Sequence, residues 1–214
     1  MTGNAPITEG LDWVGVVQRL RTIAGEGLAY SENPYDRDRY RRLAELADEV
    51  ITVETGSLSR NGEAVLIEEG CPTPKVDVRA AVFSENQILL VREASDGRWS
   101  LPGGWADLGQ TPGEVTVREV AEETGYLVSP MRLLAVWDKA RHDHPRSLQA
   151  IYKIVTECLL VGPEQVHLPS HEVLEVGWFD PTHPPPLSTG RITQSQVLRI
   201  VQLHDDQSLP ADFD

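Results

Sequence analysis

The stretch Leu101-Pro102-Gly103-Gly104-Trp105-Ala106-Asp107-Leu108-Gly109-Gln110, running on to Arg118-Glu119-Val120-Ala121-Glu122-Glu123-Thr124-Gly125, decides both fold and chemistry. Wound as a helix, residues 112–125 bring Glu119, Glu122 and Glu123 within about 100° of arc. Val117, Val120, Ala121 and Thr124 take the opposite side and are expected to be buried, and Gly125 is a natural helix stop. Three carboxylates on one arc repel each other, by about a few tenths of a kcal/mol per exposed pair. A metal ion resolves that crowding, and hard oxygen donors on a rigid helix suit Mg²⁺ or Mn²⁺. Gly103-Gly104 reads as a turn where backbone approaches closely for want of side chains, so that a carbonyl there can complete the coordination. An acidic helix face alone is usually solvated, and a Pro-Gly-Gly turn alone is common; together, at this spacing, they mark a site.

Outward from that stretch, residues 11–69 read as helical. Leu11, Val14, Val17, Leu20 and, less regularly, Ile23 recur at helical spacing, as do Tyr40, Leu43, Ala44, Ala47 and Val50. Asn33-Pro34 breaks the two runs apart. After Cys71-Pro72-Thr73-Pro74 the pattern becomes strand-like: Val76–Phe83 and Ile88–Val91 around a turn at Glu85-Asn86, then Arg132–Trp137, Ala150–Leu160 and Glu175–Phe179. Thr193 with Gln196 forms a capping box opening a last helix to about His204. Helices followed by a strand-rich α+β unit place a boundary near residue 70.

The chain has 214 residues, 40% of them apolar, enough for a core. Its net charge of −14, from 33 acids against 19 bases, repels polyanions, so a non-specific grip on duplex DNA is not expected. An anionic substrate then needs local cations. Cys71 and Cys158 show neither metal-ligand spacing nor a disulfide framework and read as reduced thiols. Neither a signal peptide nor an apolar run of about 18 residues is visible, which points to a cytoplasmic protein off the membrane. Arg37, Arg39, Arg41 and Arg42 are interleaved with acids and read as a solvated helix face, with a possible part in subunit contact.

Gly104, five residues, position 110, seven residues, then Arg118-Glu119-Val120-x-Glu122-Glu123-x-Gly125-Tyr126 resembles the Nudix box, G-x5-E-x7-R-E-U-x-E-E-x-G-U. Gln110 stands where the box has Glu, and a neutral amide is a poorer metal ligand; Tyr126 fits the final aliphatic position loosely. The segments Leu11 to Tyr40, Thr73 to Arg79 and Pro210 to Asp214 resemble one Nudix subgroup, carrying a helical N-terminal domain and hydrolysing X-linked nucleoside diphosphates such as CDP-choline or ADP-ribose. The resemblance implies an α+β Nudix fold, a mixed sheet sandwiched between helices, over residues 71–214, after a small helical domain over 1–70. It implies a homodimer and a small nucleotide-conjugate substrate.

It also implies water attack on phosphorus, giving a nucleoside monophosphate and X-phosphate. Glu119 and Glu123 become metal ligands with the Gly103 carbonyl, Glu122 a third ligand or a base, and Arg118 the residue that orients the glutamates. Glu172, six residues before Trp178, falls where several such enzymes place a metal ligand or base, though a solvated loop glutamate reads equally well; Glu175 is its rival and reads as structural. Arg79, mid-strand near the core, must meet an anion, either a substrate phosphate or an internal carboxylate. Gly104, Trp105, His142 and His144 complete the substrate-binding candidates; Trp105 reads equally as packing, and the two histidines as solvated loop residues. A nucleotide sensor without turnover and an RNA-processing enzyme are the competing functions; acidic residues 1–70 argue against a DNA-binding regulator.

Overall fold

A computed structural model describes residues 12–55, 73–147, 149–161 and 172–214. Two units make up the chain, the first taking Met1–Thr73 and Arg146–Gln149, the second Pro74–Pro145 and Ala150–Asp214.

The first unit is a helical pair. Asp12 caps α1 (Trp13–Tyr30) by accepting the Gly15 N–H at 3.3 Å. The break at Asn33-Pro34 holds: Asn33 Oδ1 accepts the Tyr35 N–H at 2.9 Å, and Pro34 opens α2 (Pro34–Thr55), where its missing N–H costs nothing. Val17, Ala24 and Leu28 of α1 and Ala44 and Ala47 of α2 are buried. The helices close up at Gly27, where a Cβ would lie 2.4 Å from the Tyr40 ring, and Arg21 Nε donates to Asp48 at 2.9 Å across the pair. Ile23, placed in the apolar row by spacing, is exposed. Arg39 pairs with the part-exposed Asp36, and Arg41 and Arg42 are exposed, whereas Arg37 donates to the Leu28 and Ser31 carbonyls that end α1. The helical reading of residues 56–69, together with Leu11 and Cys71, lies outside the described residues.

In the second unit β1 (Lys75–Ser84) is buried on both faces from Asp77 to Val82. Glu85 and Asn86 both take positive φ, 47° and 64°, giving the two-residue hairpin into β2 (Gln87–Glu93). The remaining strands are β3 (Trp99–Ser100), β4 (Gly103–Trp105), β5 (Val128–Asp138), β6 (Ile151–Leu160), β7 (Val173–Phe179) and β8 (Asp212–Phe213). They order as β3-β2-β1-β6-β5-β8, with β4 beside β1 and β7 beside β2. β1–β6 and β5–β8 are parallel and the other pairs antiparallel, so the sheet is mixed.

Two helices cover its faces. α3 (Pro112–Thr124) is held by a capping box between Thr111 and Glu114 and stops at Gly125, φ 74°. α4 (Gln194–Asp205) opens on the Thr193–Gln196 capping box read from the sequence. Alternate residues of β1 face opposite ways. Ala80 and Val82 pack with Val120 of α3, and Ala81 packs with Val197, Ile200 and Leu203 of α4. This is the expected sandwich. Burial raises the Cys158 thiol to about 12, with Glu157 adding to the shift, so it stays an inert thiol. No helix among the described residues is long and apolar enough to cross a membrane.

Two local expectations fail. Gly103-Gly104-Trp105 is a strand and not simply a turn, pairing Arg79 with Gly103, Val78 with Gly104 and Asp77 with Trp105. And α3 buries Val115, Thr116, Glu119, Val120, Glu123 and Thr124, while Val117 and Ala121 are only half-buried. The helix is rolled so that two of its glutamates lie within the buried arc.

Candidate active site

That roll aims Glu119 and Glu123 at the glycine strand. Glu123 Oε2 accepts the Gly103 N–H at 2.8 Å. Glu119 lies under Gly104, where an added Cβ would come within 2.6 Å of its Oε1. A side chain is excluded at Gly104 because the Glu119 carboxylate occupies its space, and at Gly103 because the backbone of β1 does. Glu122, at 62% side-chain exposure, stays on the rim.

Arg118 ties the group together. Its Nη2 stands 2.9 Å from Glu119 Oε1 and its Nη1 3.0 Å from Glu122 Oε2, while Gln110 Oε1 accepts from Nη2 at 3.3 Å. The amide that replaces the expected glutamate is thus a prop for the arginine. Arg118 Nε is buried without a partner among the described residues.

A second layer lies behind. Arg79 Nε donates to Asp77 Oδ1 at 2.9 Å and Nη1 to the Leu101 carbonyl at 3.1 Å, and Glu93 is 3.9 Å away. Of its two expected partners, the internal carboxylate is supplied by Asp77. Lys153, also buried, pairs with the other Asp77 oxygen. Burial pushes the Glu123 carboxyl up to about 8; Arg79 and the Gly103 N–H oppose this, while Glu93 and Glu119 add to it. Burial likewise raises Glu119, against the pull of Arg118. Buried carboxyls that cannot ionise cheaply are groups short of a positive charge.

Arg79, Gly103, Gly104, Trp105, Arg118, Glu119, Glu122, Glu123 and Glu172 all line one open cleft of about 700 Å³, enough for a nucleotide conjugate. Glu172 enters from just before β7, on a different element from α3, and Trp105 is half exposed at the mouth. His142 and His144 do not line the cleft. His142 Nε2 bonds Asp214 at 3.2 Å, and its ring packs on Trp137. His144 Nδ1 donates to the Thr189 carbonyl at 2.7 Å, and burial lowers the ring to about 4, so it stays neutral. Loop position made them look available; local bonds hold them elsewhere. Sequence reasoning missed Glu93 and Arg191, which also line the cleft. A lone arginine after a proline-rich connector carries no pattern to find it by.

Among the described residues no three carboxylate, imidazole or thiolate groups already converge as a metal cage. The donor set nevertheless fits a hard divalent cation, since two buried carboxyls beside Gly103 and Gly104 stay raised by burial despite Arg118 and Arg79, and a third stands at the rim.

A mixed sheet between two helices, with a glutamate-lined cleft at a glycine strand, defines an α+β protein with an acidic site suited to a hard cation. Residues 73–199 match the NUDIX domain, and residues 11–58 match the UDP-X-like, N-terminal oligomerisation domain. The chain belongs to the Nudix family and is an enzyme of its hydrolase class. It is 43% identical over 191 residues to YjhB of Bacillus subtilis strain 168, provisionally named an ADP-ribose pyrophosphatase, covering 86% of this chain and 88% of that one. An ADP-ribose pyrophosphatase structure from Streptococcus suis is 39% identical with a TM-score of 0.60, covering 66% of this chain and 100% of that one. A UDP-X diphosphatase structure, 30% identical with a TM-score of 0.62, covers 95% of this chain and 98% of its own.

Proposed function

We propose that this enzyme is a divalent-metal-dependent pyrophosphohydrolase. It cleaves a nucleoside diphosphate linked to another moiety, of ADP-ribose or CDP-choline type, to a nucleoside monophosphate and X-phosphate. The observation that carries this reading is the pair of buried glutamates facing the glycine strand at the floor of the cleft. The names of its relatives favour ADP-ribose and UDP-linked conjugates as first substrates.

Glu119 and Glu123, with the Gly103 carbonyl, would hold Mg²⁺ or Mn²⁺, and Glu122 would join from the rim. An ion held there would supply charge neutralisation at the phosphate and a more acidic attacking water. Arg118 keeps Glu119 and Glu122 in register. Glu172, across from α3, takes the proton as the water oxygen bonds to phosphorus and the bridging P–O bond breaks. Trp105 offers a face for the base, Gly104 leaves room for the diphosphate, and Arg79 steadies the inner carboxylates. Residues 71–214 act as the catalytic part. Residues 1–70 pair two copies into a homodimer, in keeping with the oligomerisation family they match.

Incubation with Mg²⁺ or Mn²⁺ and a panel of ADP-ribose, CDP-choline, a UDP-sugar, NADH, dinucleoside polyphosphates and nucleoside triphosphates tests the reading. Nucleoside monophosphate should appear from one conjugate with a kcat/KM at least about tenfold above that for any triphosphate. Tight ligand binding with no turnover across the panel would favour a sensor instead.

Metal binding has a proton signature. Below about pH 8 the Glu123 carboxyl holds its proton, and coordination needs the carboxylate. Titration with Mn²⁺ at pH 7, in buffers of different ionisation enthalpy, should show release of about one proton per site, with apparent affinity rising as pH approaches 8. Proton-neutral binding would count against Glu123 as a ligand.

A further inference from the structure

One arginine that lines the cleft from outside α3 is held as if for an anion. Residues 186–192 are pinned to β3: the Trp99 N–H donates to Pro186 O at 3.0 Å, and the Ser188 N–H donates to Trp99 O at 2.7 Å. Ser188 Oγ donates to Asp96 Oδ2 at 2.8 Å, while the Arg191 and Ile192 N–H groups both turn back to Ser188 O, at 2.8 and 3.0 Å. Ile192 is anchored in the core and Thr193 caps α4, so Arg191 projects from a rigid turn.

Its guanidinium is only partly satisfied. Nε stands 2.9 Å from Glu93 Oε1 and Nη1 makes a weak 3.4 Å bond to Ser188 Oγ, while Nη2 has no partner among the described residues. The side chain is 34% exposed and lines the cleft. Glu93 does not depend on it, since that buried carboxylate also takes the Ser100 hydroxyl at 2.5 Å and lies 3.9 Å from Arg79. Lys139, half-buried with no ion-pair partner among the described residues, thickens the positive charge nearby. Burial holds its ammonium below the ordinary value, Asp77 opposes this, and Arg191 and Arg79 add to it. The cleft therefore sets, against the α3 glutamates Glu119, Glu122 and Glu123, a rigid and half-satisfied arginine carried by another element.

Resting on the pyrophosphohydrolase reading, we propose that Arg191 is a substrate-binding residue. Its unpaired Nη2 grips a non-bridging oxygen of the phosphate that lies away from the glutamates, fixing which phosphorus meets the water. In a chain of net charge −14, such a placed cation lets a diphosphate enter against the field. A planar fork suits phosphate better than a point charge.

The test uses α,β-methylene-ADP, a diphosphate that this chemistry cannot cleave, titrated calorimetrically with and without Mg²⁺ against wild type, Arg191→Ala and Arg191→Lys. Arg191→Ala should weaken binding by about 10- to 100-fold and raise KM similarly, with kcat changed less than about threefold. Arg191→Lys, which keeps a charge beside Glu93, should fall between the two at an unchanged melting temperature and covers the case of a misfolded alanine variant. Wild-type affinity and KM in a folded Arg191→Ala protein would overturn the proposal, as would a loss confined to kcat or to melting temperature. If wild type turns over no conjugate, the hydrolase reading fails on its own while the titration still reports on Arg191.

Discussion

Glu123→Gln is expected to lower kcat by about a thousandfold or more without unfolding the protein. The amide keeps the size of the side chain, and its carbonyl oxygen can still accept the Gly103 N–H now given to Oε2 at 2.8 Å. What disappears is one of the two buried carboxylates facing the glycine strand, and with it a full negative charge that could be turned toward a cation. A thousandfold is about 4 kcal/mol of transition-state stabilisation, the scale on which metal and oxyanion contacts act. Stability should move the other way. With a folded pKa near 8 against an ordinary 4.5, wild type holds that proton more tightly folded than unfolded. The contribution is complete below 4.5 and is lost as pH rises from 4.5 to 8. Glutamine has no such proton to lose. In EDTA the melting temperature of Glu123→Gln, measured against wild type, should therefore improve across that window. Turnover within tenfold of wild type at saturating Mg²⁺ would remove Glu123 from the metal site.

Much of this site was legible because its chemistry is carried on one helix. The spacing of Arg118, Glu119, Glu122 and Glu123 survives any roll of α3, and Gly125 stops the helix wherever it packs. The roll itself was not legible. Spacing placed Val117 and Ala121 opposite the glutamates as the buried side, yet Glu119 and Glu123 are buried and those two residues are not. A buried acid looks like a surface residue until the strand that covers it is known. The glycines hid that strand by reading as a turn, although their pairing with β1 is what brings backbone to the carboxylates. Arg79 was left open between two anions, although strand alternation already puts Asp77, two residues earlier, on its face of β1. Arg191 and Glu93 meet across nearly a hundred residues of chain, beyond the reach of any local pattern.

Gly103→Ala tests whether that strand is as tightly determined as its geometry says. Gly103 has φ 142°, in the region open to glycine and strained for an L side chain. A Cβ there would fall 2.1 Å from Val78 O, 2.9 Å from Arg79 Cα and 3.0 Å from Val78 C. All three are backbone atoms of β1, buried on both faces, so the clash can be relieved only by parting β4 from β1. That breaks the Arg79–Gly103 register and draws the Gly103 N–H away from Glu123, stripping the carboxyl of its hydrogen bond. Backbone strain with core disruption of this kind costs about 3–5 kcal/mol, and each kcal/mol moves a chain of this size by roughly 2–4 °C. The melting temperature should fall by about 10 °C and activity with it. Gly104→Ala is a sharper probe of chemistry, since its Cβ would meet a carboxylate, Glu119 Oε1 at 2.6 Å, which can swing aside. It should lose turnover while keeping most of its stability. Gly190→Ala, with nothing within 4 Å of the new Cβ, sets the baseline and should stay within about 0.5 kcal/mol of wild type. An unfolding midpoint for Gly103→Ala equal to that baseline would mean the β4–β1 pairing does not position the site.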